Sequence, residues 1–176
     1  MNIIFTILLV LAGILAFLLL LAFFMKREHH VKREIIILAP HKKVFDYIKL
    51  LKNQDMFNKG AMADPDRKRE FRGTDGTVGF IYSWKGDKNA GEGEKEIKGI
   101  IEGKRIETEI RFVKPMIAVG HVVMETEPLS KSETKVHWSN TGVLNYPLNI
   151  MVPMVEKHVA QDMITSLSAL KIILEK

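Results

Sequence analysis

The residues of this chain with the means to act on a small molecule are few and scattered. They are Tyr82 and Asn140, the histidines His29, His30, His121 and His137, the carboxylates Glu92, Glu94 and Glu96, and the hydroxyls of Ser83, Ser139 and Thr141. Adjacent His29 and His30 lack the spacing with which a helix presents two imidazoles to a metal, and the 176 residues include no cysteine, so no metal site is expected. The three glutamates share one strand parity while Ile97, Gly99 and Ile101 occupy the other, which makes the acids a wet face rather than a general acid and base. Ser83, Ser139 and Thr141 have no histidine and carboxylate at a recognisable spacing, so nucleophilic catalysis has no support. His137 alternates with Trp138 and points away from it. His121 is ambiguous, because Val119, His121 and Val123 form one face and Gly120, Val122 and Met124 the other.

What the sequence offers instead is apolar surface. Phe80, Tyr82 and Trp84 alternate with Ile81, Ser83 and Lys85; Ile106, Thr108, Ile110 and Phe112 alternate with Glu107, Glu109 and Arg111; Val136, Trp138 and Asn140 alternate with Lys135, His137 and Ser139. In the last third of the chain Val155, Val159, Met163, Leu167, Leu170 and Leu174 recur at steps of three and four, the stripe of a helix with one buried face. Opposed, these faces bring together Phe80, Tyr82, Trp84, Ile110, Phe112, Val136, Trp138 and Asn140 from strands with Val155, Val159 and Met163 from the helix. The result is an apolar slot with few polar handles, the composition of a small-molecule pocket and equally that of a filled core. No cofactor is expected.

The elements that position these faces follow from the punctuation of the chain. Val31 to Leu38 reads as a strand stopped at Pro40, and His41 to Leu51 as a helix with Val44, Phe45, Ile48 and Leu51 on one side. A short helical piece through Asp55, Met56 and Phe57 ends before Gly60. The Asp64-Pro65-Asp66 turn opens a run of strands over 68–72, 80–85, 94–101, 105–112, 117–126 and 134–141, with loops between them and no intervening helix. Gly91-Glu92-Gly93 leads from a loop into a strand, not from a strand into a helix, and so is no dinucleotide fingerprint. The long helix runs from Met154 to Glu175, its unbroken part beginning near Pro153. This order is that of an α+β domain with an antiparallel sheet.

Ahead of it, Ile3 to Met25 has no charged residue and reads as a transmembrane helix, ending in Phe23, Phe24 and Met25 rather than in the small residues of a cleavage site. The expected organisation is an anchor over 1–25, a juxtamembrane stalk over 26–31 in which His29 and His30 are solvated, and one domain over 32–176. Lys26, Arg27, Lys32 and Arg33 crowd the C-terminal flank of the anchor, which predicts a single-pass protein of the cell membrane with its domain in the cytoplasm. The net charge of +5 belongs beside anionic head groups. Basic residues interspersed with acidic ones, with no arginine-rich tract, give no nucleic-acid surface.

The stretch Ile35 to Phe45, with Ala39-Pro40 ending a strand and Val44-Phe45 opening a helix, resembles the START-like, helix-grip (SRPBCC) superfamily in its polyketide cyclase/dehydrase and lipid-transport branch. Trp84-Lys85-Gly86, Gly91-Glu92-Gly93, Phe112-Val113-Lys114-Pro115 and Thr134 to Trp138 before Gly142 fall in the same order as in that family. The resemblance implies a curved antiparallel sheet gripping the C-terminal helix around a hydrophobic cavity for a lipid, isoprenoid or polyketide-like molecule. It also admits an enzyme with Tyr82, Asn140 or His121 as polar catalyst, and a co-chaperone-like domain that binds a protein partner. An N-terminal membrane helix lies outside the usual family pattern.

Overall fold

The computed structural model describes residues 2–86 and 91–176; Met1 of the expected anchor and part of the expected loop over 86–93 lie outside the described residues. The chain runs α1 (Ile3–Phe24), β1 (Glu28–Ile37), α2 (His41–Lys49), α3 (Leu51–Gln54), α4 (Lys59–Met62), β2 (Lys68–Arg72), β3 (Ile81–Lys85), β4 (Glu92–Ile101), β5 (Arg105–Lys114), β6 (Ala118–Pro128), β7 (Thr134–Val143) and α5 (Val152–Leu174). The strands form one antiparallel sheet in the order β1-β7-β6-β5-β4-β3-β2. Hairpin neighbours pair in sequence from β2 to β7, and β1 closes the far edge beside β7. The α2–α4 segment therefore crosses from one edge of the sheet to the other, while the remaining connections between strands join neighbours.

Alternation held the strands to the predicted faces except where the backbone slips. In β4 a register shift between Ile97 and Gly99 turns Ile100 inward and leaves Ile101 exposed, so Ile97 and Ile101 do not share a face as the simple parity predicts. Glu94 and Glu96 do face water, where Arg111 donates to both, from Nε to Glu94 Oε1 at 2.7 Å and from Nη2 to Glu96 Oε2 at 2.8 Å. Gly60 lies inside α4 rather than ending a helix, and the expected single helix over 41–51 is broken at Leu50. Pro153 falls in the first turn of α5, where its missing N–H is not required, after a 3-10 turn over Leu148–Met151.

The stalk expected over 26–31 is largely absent. β1 begins at Glu28 and pairs with β7 from its first residue, Glu28 opposite Val143 and His29 opposite Gly142. The charges at Glu28, Lys32 and Glu34 are the wet parity of a strand whose dry parity already starts at His29 and Val31. His29 is therefore buried rather than solvated, and its Nε2 shares a 2.9 Å hydrogen bond with Asn140 Oδ1. Its ring occupies the space over Gly142, where a Cβ would stand 2.5 Å from His29 Cε1. The sheet thus begins at Glu28, inside the stretch expected as a stalk.

α1 is long and apolar enough to cross a membrane, and of its residues only Ala22 is buried. Its last turn is tied to the domain: Asn149 Nδ2 donates to Ala22 O at 2.5 Å and to Met25 O at 3.0 Å, satisfying carbonyls that a helix end leaves open. The main core lies between β1, β7, β6 and the second half of α5, with Ile37, Val44, Ile48, Phe57, Val136, Leu167, Leu170 and Leu174 closely packed. A smaller cluster joins Leu51, Phe80, Tyr82, Trp84 and Ile97 at the other end of the sheet.

Candidate functional site

The helix stripe predicts burial from Val155 to Leu174, yet the structure buries Met163, Leu167, Leu170 and Leu174 while Val155 and Val159 stay half-exposed. Between the stretch of α5 from His158 to Ser166 and the sheet lies a cavity of about 440 Å³. That lies within the range of small-molecule sites, ~300–1,000 Å³. Strands β3 to β7 form one wall, α5 a second, and the α3–α4 segment with Arg67 a third; the exposed residues Gly60, Ala63, His158 and Phe112 rim the opening.

Tyr82, Trp84, Ile110, Phe112, Trp138, Asn140, Val159 and Met163 line this cavity. Phe80, Val136 and Val155 do not. Phe80 and Val136 sit on the predicted face but are sealed in the two core clusters, at 1% and 0% exposure, and Val155 is half-exposed outside the cavity, in the turn of α5 where Glu156 accepts from His30 N of β1. His121 is exposed on the outer face, so it cannot serve the cavity. The aromatic wall is stacked from Tyr82 to Trp84 at 6.0 Å between ring centroids, and Trp84 meets Phe112 edge-on at 5.8 Å. Trp84 lies so close over Gly93 that a Cβ there would come within 2.7 Å of its ring. That close approach explains the glycine at 93. Gly91 has φ 63°, a conformation side chains disfavour, and a Cβ would collide with Lys114 O.

The slot is not the nearly apolar one that the strand parities suggest. Gln54, Asp55, Arg67 and Lys95 also line it and converge on Tyr82. Arg67 Nη2 donates to Asp55 Oδ1 at 2.8 Å and to the Tyr82 hydroxyl at 2.5 Å, while that hydroxyl donates to Asp55 Oδ2 at 3.0 Å. Arg69 Nε adds an ion pair to Asp55 Oδ2 at 3.0 Å. Burial pushes the Tyr82 phenol up to about 12, the Asp55 charge adding to the effect and Arg67 opposing it. Lys95 is opposite Tyr82 in the β3–β4 register, and its Nζ donates to the neutral Gln54 Oε1 at 2.7 Å. Gln54 is held in turn by its own amide, which donates to Ile48 O at 3.1 Å. Burial lowers the Lys95 ammonium to about 8, Asp55 partly restoring it and Arg67 not. At the rim, Lys59 Nζ pairs with Asp162 Oδ1 at 2.6 Å.

Sequence reasoning passed over Lys95, although a signal was present: it shares the inward parity of Gly93 and Ile97 on an otherwise apolar face. Gln54, Asp55 and Arg67 gave no such signal, since they belong to irregular segments whose direction no periodicity fixes. Among the described residues, no group of three or more histidine, aspartate or glutamate side chains could hold a metal ion.

A curved antiparallel sheet closed over a long C-terminal helix, with a cavity between them, is the helix-grip fold. No family model and no curated protein sequence matches the chain. Solved structures do. Norcoclaurine synthase from Thalictrum flavum, in complex with dopamine and hydroxybenzaldehyde, superposes with a TM-score of 0.62 at 14% identity, covering 84% of this chain and 87% of its own. The Aha1 dimer from Colwellia psychrerythraea gives 0.58 at 14% identity over 83% of this chain and 96% of its own. Ara h 8.0201 gives 0.59 at 17% identity, over 84% and 97%. At such identities the likeness establishes the fold alone.

Proposed function

We propose that this chain is a membrane-tethered binding domain that holds a hydrophobic small molecule between its sheet and α5. The observation that carries this reading is the cavity of about 440 Å³ between α5 and an aromatic wall of the sheet. Three features favour binding over catalysis there. Tyr82 has its hydroxyl committed to Asp55 and Arg67 and its pKa raised to about 12, too high for acid–base work near neutrality. Asn140 is engaged by His29, and His121 is on the outer face. An open cavity also favours a small ligand over the protein-interaction reading, which fits a collapsed slot better.

The tether is part of the reading. α1 crosses the bilayer, and Lys26, Arg27, Lys32 and Arg33 on its C-terminal flank put the domain in the cytoplasm. The sheet registers place the start of β1, the end of β7, the start of β6 and the end of β5 at one end of the molecule, the end to which α1 is tied through Asn149. That end exposes Val113, Met116, Ile117, Val143, Leu148 and Met154. Apolar side chains clustered there suit the interface of the adjoining bilayer, from which a ligand can enter past Phe112. The test is a titration of the full-length protein in mild detergent with pyrenebutanol, a neutral fluorescent lipophile, beside native mass spectrometry for a co-purified molecule. Saturable binding of one molecule per chain is expected. Partitioning indistinguishable from that into micelles carrying α1 alone, with no co-purified species, overturns the reading.

A further inference from the structure

The cavity wall holds more hydrogen-bond donors than acceptors. Among the described residues Asp55 is the one carboxylate in its depth, and both its oxygens are already taken, Oδ1 by Arg67 and Oδ2 by Tyr82 and Arg69. Lys95, 8% exposed, has three N–H donors, and among the described residues its one acceptor is the uncharged Gln54. Arg67 Nε and Trp138 Nε1 are buried with no hydrogen-bond partner among the described residues, in side chains 7% and 5% exposed respectively. Buried donors are costly to leave unmet, so the arrangement is incomplete as it stands. The charges point the same way. Of the described ionised residues lining the cavity, Arg67 is paired with Asp55 and Lys59 with Asp162, and Lys95 is the cation with no ion-pair partner.

We propose that the occupant is an apolar molecule ending in one carboxylate, which lies against the Lys95 ammonium on the Arg67 side of the cavity. The inference rests on the binding function proposed above and specifies its ligand class. One surplus positive charge matches a monoanion rather than a doubly charged phosphate monoester. The stacked faces of Tyr82 and Trp84 beside Lys95 suit the apolar body. A buried lysine answered by a carboxylate gains a charge-assisted hydrogen bond where it now has only a neutral amide.

The experiment compares pyrenebutanoic acid with pyrenebutanol, which share a tail and differ in the head, on full-length wild type, Lys95→Met and Lys95→Arg. Taking the acid-to-alcohol affinity ratio of wild type over that of Lys95→Met cancels the unequal partitioning of the two probes into detergent. That quotient should be at least about tenfold near neutral pH, with Lys95→Arg retaining most of the preference. Wild type alone supplies an independent readout: its ratio should fall as pH rises through about 8, where Lys95 sheds its proton while the carboxylate stays ionised. Equal ratios in wild type and Lys95→Met, or a wild-type ratio flat with pH, overturn the carboxylate assignment while alcohol binding leaves the binding function standing. If neither probe binds wild type, the binding function fails and the assignment with it.

Discussion

Replacing Lys95 with methionine exchanges a buried ammonium for an apolar side chain of similar length, and the structure gives both the size and the pH course of the result. The folded ammonium titrates near 8, against 10.5 for a lysine free in water. Each pKa step is worth about 1.4 kcal/mol, so holding the charged form in the fold costs about 3 kcal/mol below pH 8. Against that, the variant loses the bond to Gln54 and strands its carbonyl, about 1–2 kcal/mol. Lys95→Met should therefore be more stable than wild type by about 1–2 kcal/mol near neutral pH. Between pH 8 and 10.5 the unfolded chain keeps the lysine proton that the folded one has released, so wild-type stability gains with pH and the advantage closes. Tyr82, raised to about 12, works in the opposite sense above pH 10, but it is present in both proteins and cancels in their difference. Asp55, Arg67 and Gln54, the polar groups that converge on this site, are likewise common to both. Urea unfolding of the detergent-solubilised chains, followed by Trp84 and Trp138 fluorescence across that range, reads the difference directly. Parallel stability profiles would refute the claim that Lys95 is charged and poorly compensated in the fold.

Trp138→Ala should lose about 2–3 kcal/mol, less than the ~3–5 of a tryptophan enclosed on every side, because the indole packs edge-on against Phe57 at 6.3 Å and lines the cavity as well. Urea midpoints measure it, and a loss beyond that range means the cavity is filled in solution. Gly93→Ala puts a methyl carbon 2.7 Å from both the Trp84 ring and the Arg111 backbone oxygen, so it should displace Trp84 and strain the β4–β5 pairing, lowering pyrenebutanol affinity at least about tenfold with a lower urea midpoint; unchanged affinity would remove Trp84 from the site. Removing the first 25 residues should leave a folded domain, since β1 begins at Glu28, but Asn149 loses its acceptors at Ala22 and Met25, about 1–2 kcal/mol. Asn149→Ala in the full chain should show a similar loss, and circular dichroism melting of both decides whether the anchor is separable.

The sequence alone determined which side of β3, β5 and β7 faces inward, because a two-residue period is a local property that holds wherever no register shift interrupts the strand. It placed Tyr82, Trp84, Ile110, Phe112, Trp138 and Asn140 on the inner face, and the charge-free run at the N-terminus as a helix fit to cross a membrane. The residues of Ile35–Phe45 and Thr134–Trp138 were enough to suggest the helix-grip arrangement. Parity reports side and not depth, however. Whether an inward residue is sealed, like Phe80 and Val136, or borders open space, like Tyr82 and Trp138, depends on where α5 lies over the sheet. The helix is held there by the packing of Met163 to Leu174 in the main core, which joins it to Val31, Ile37 and Ile48, residues more than a hundred positions earlier. The stalk was misread for a related reason: Glu28 to Lys32 is polar by composition and becomes a strand only because β7 is there to pair with it. The donor-rich wall is the furthest from sequence. Lys95 meets Gln54 across 41 residues and Tyr82 meets Asp55 across 27, and only the crossing of the α3–α4 segment over the sheet brings them together.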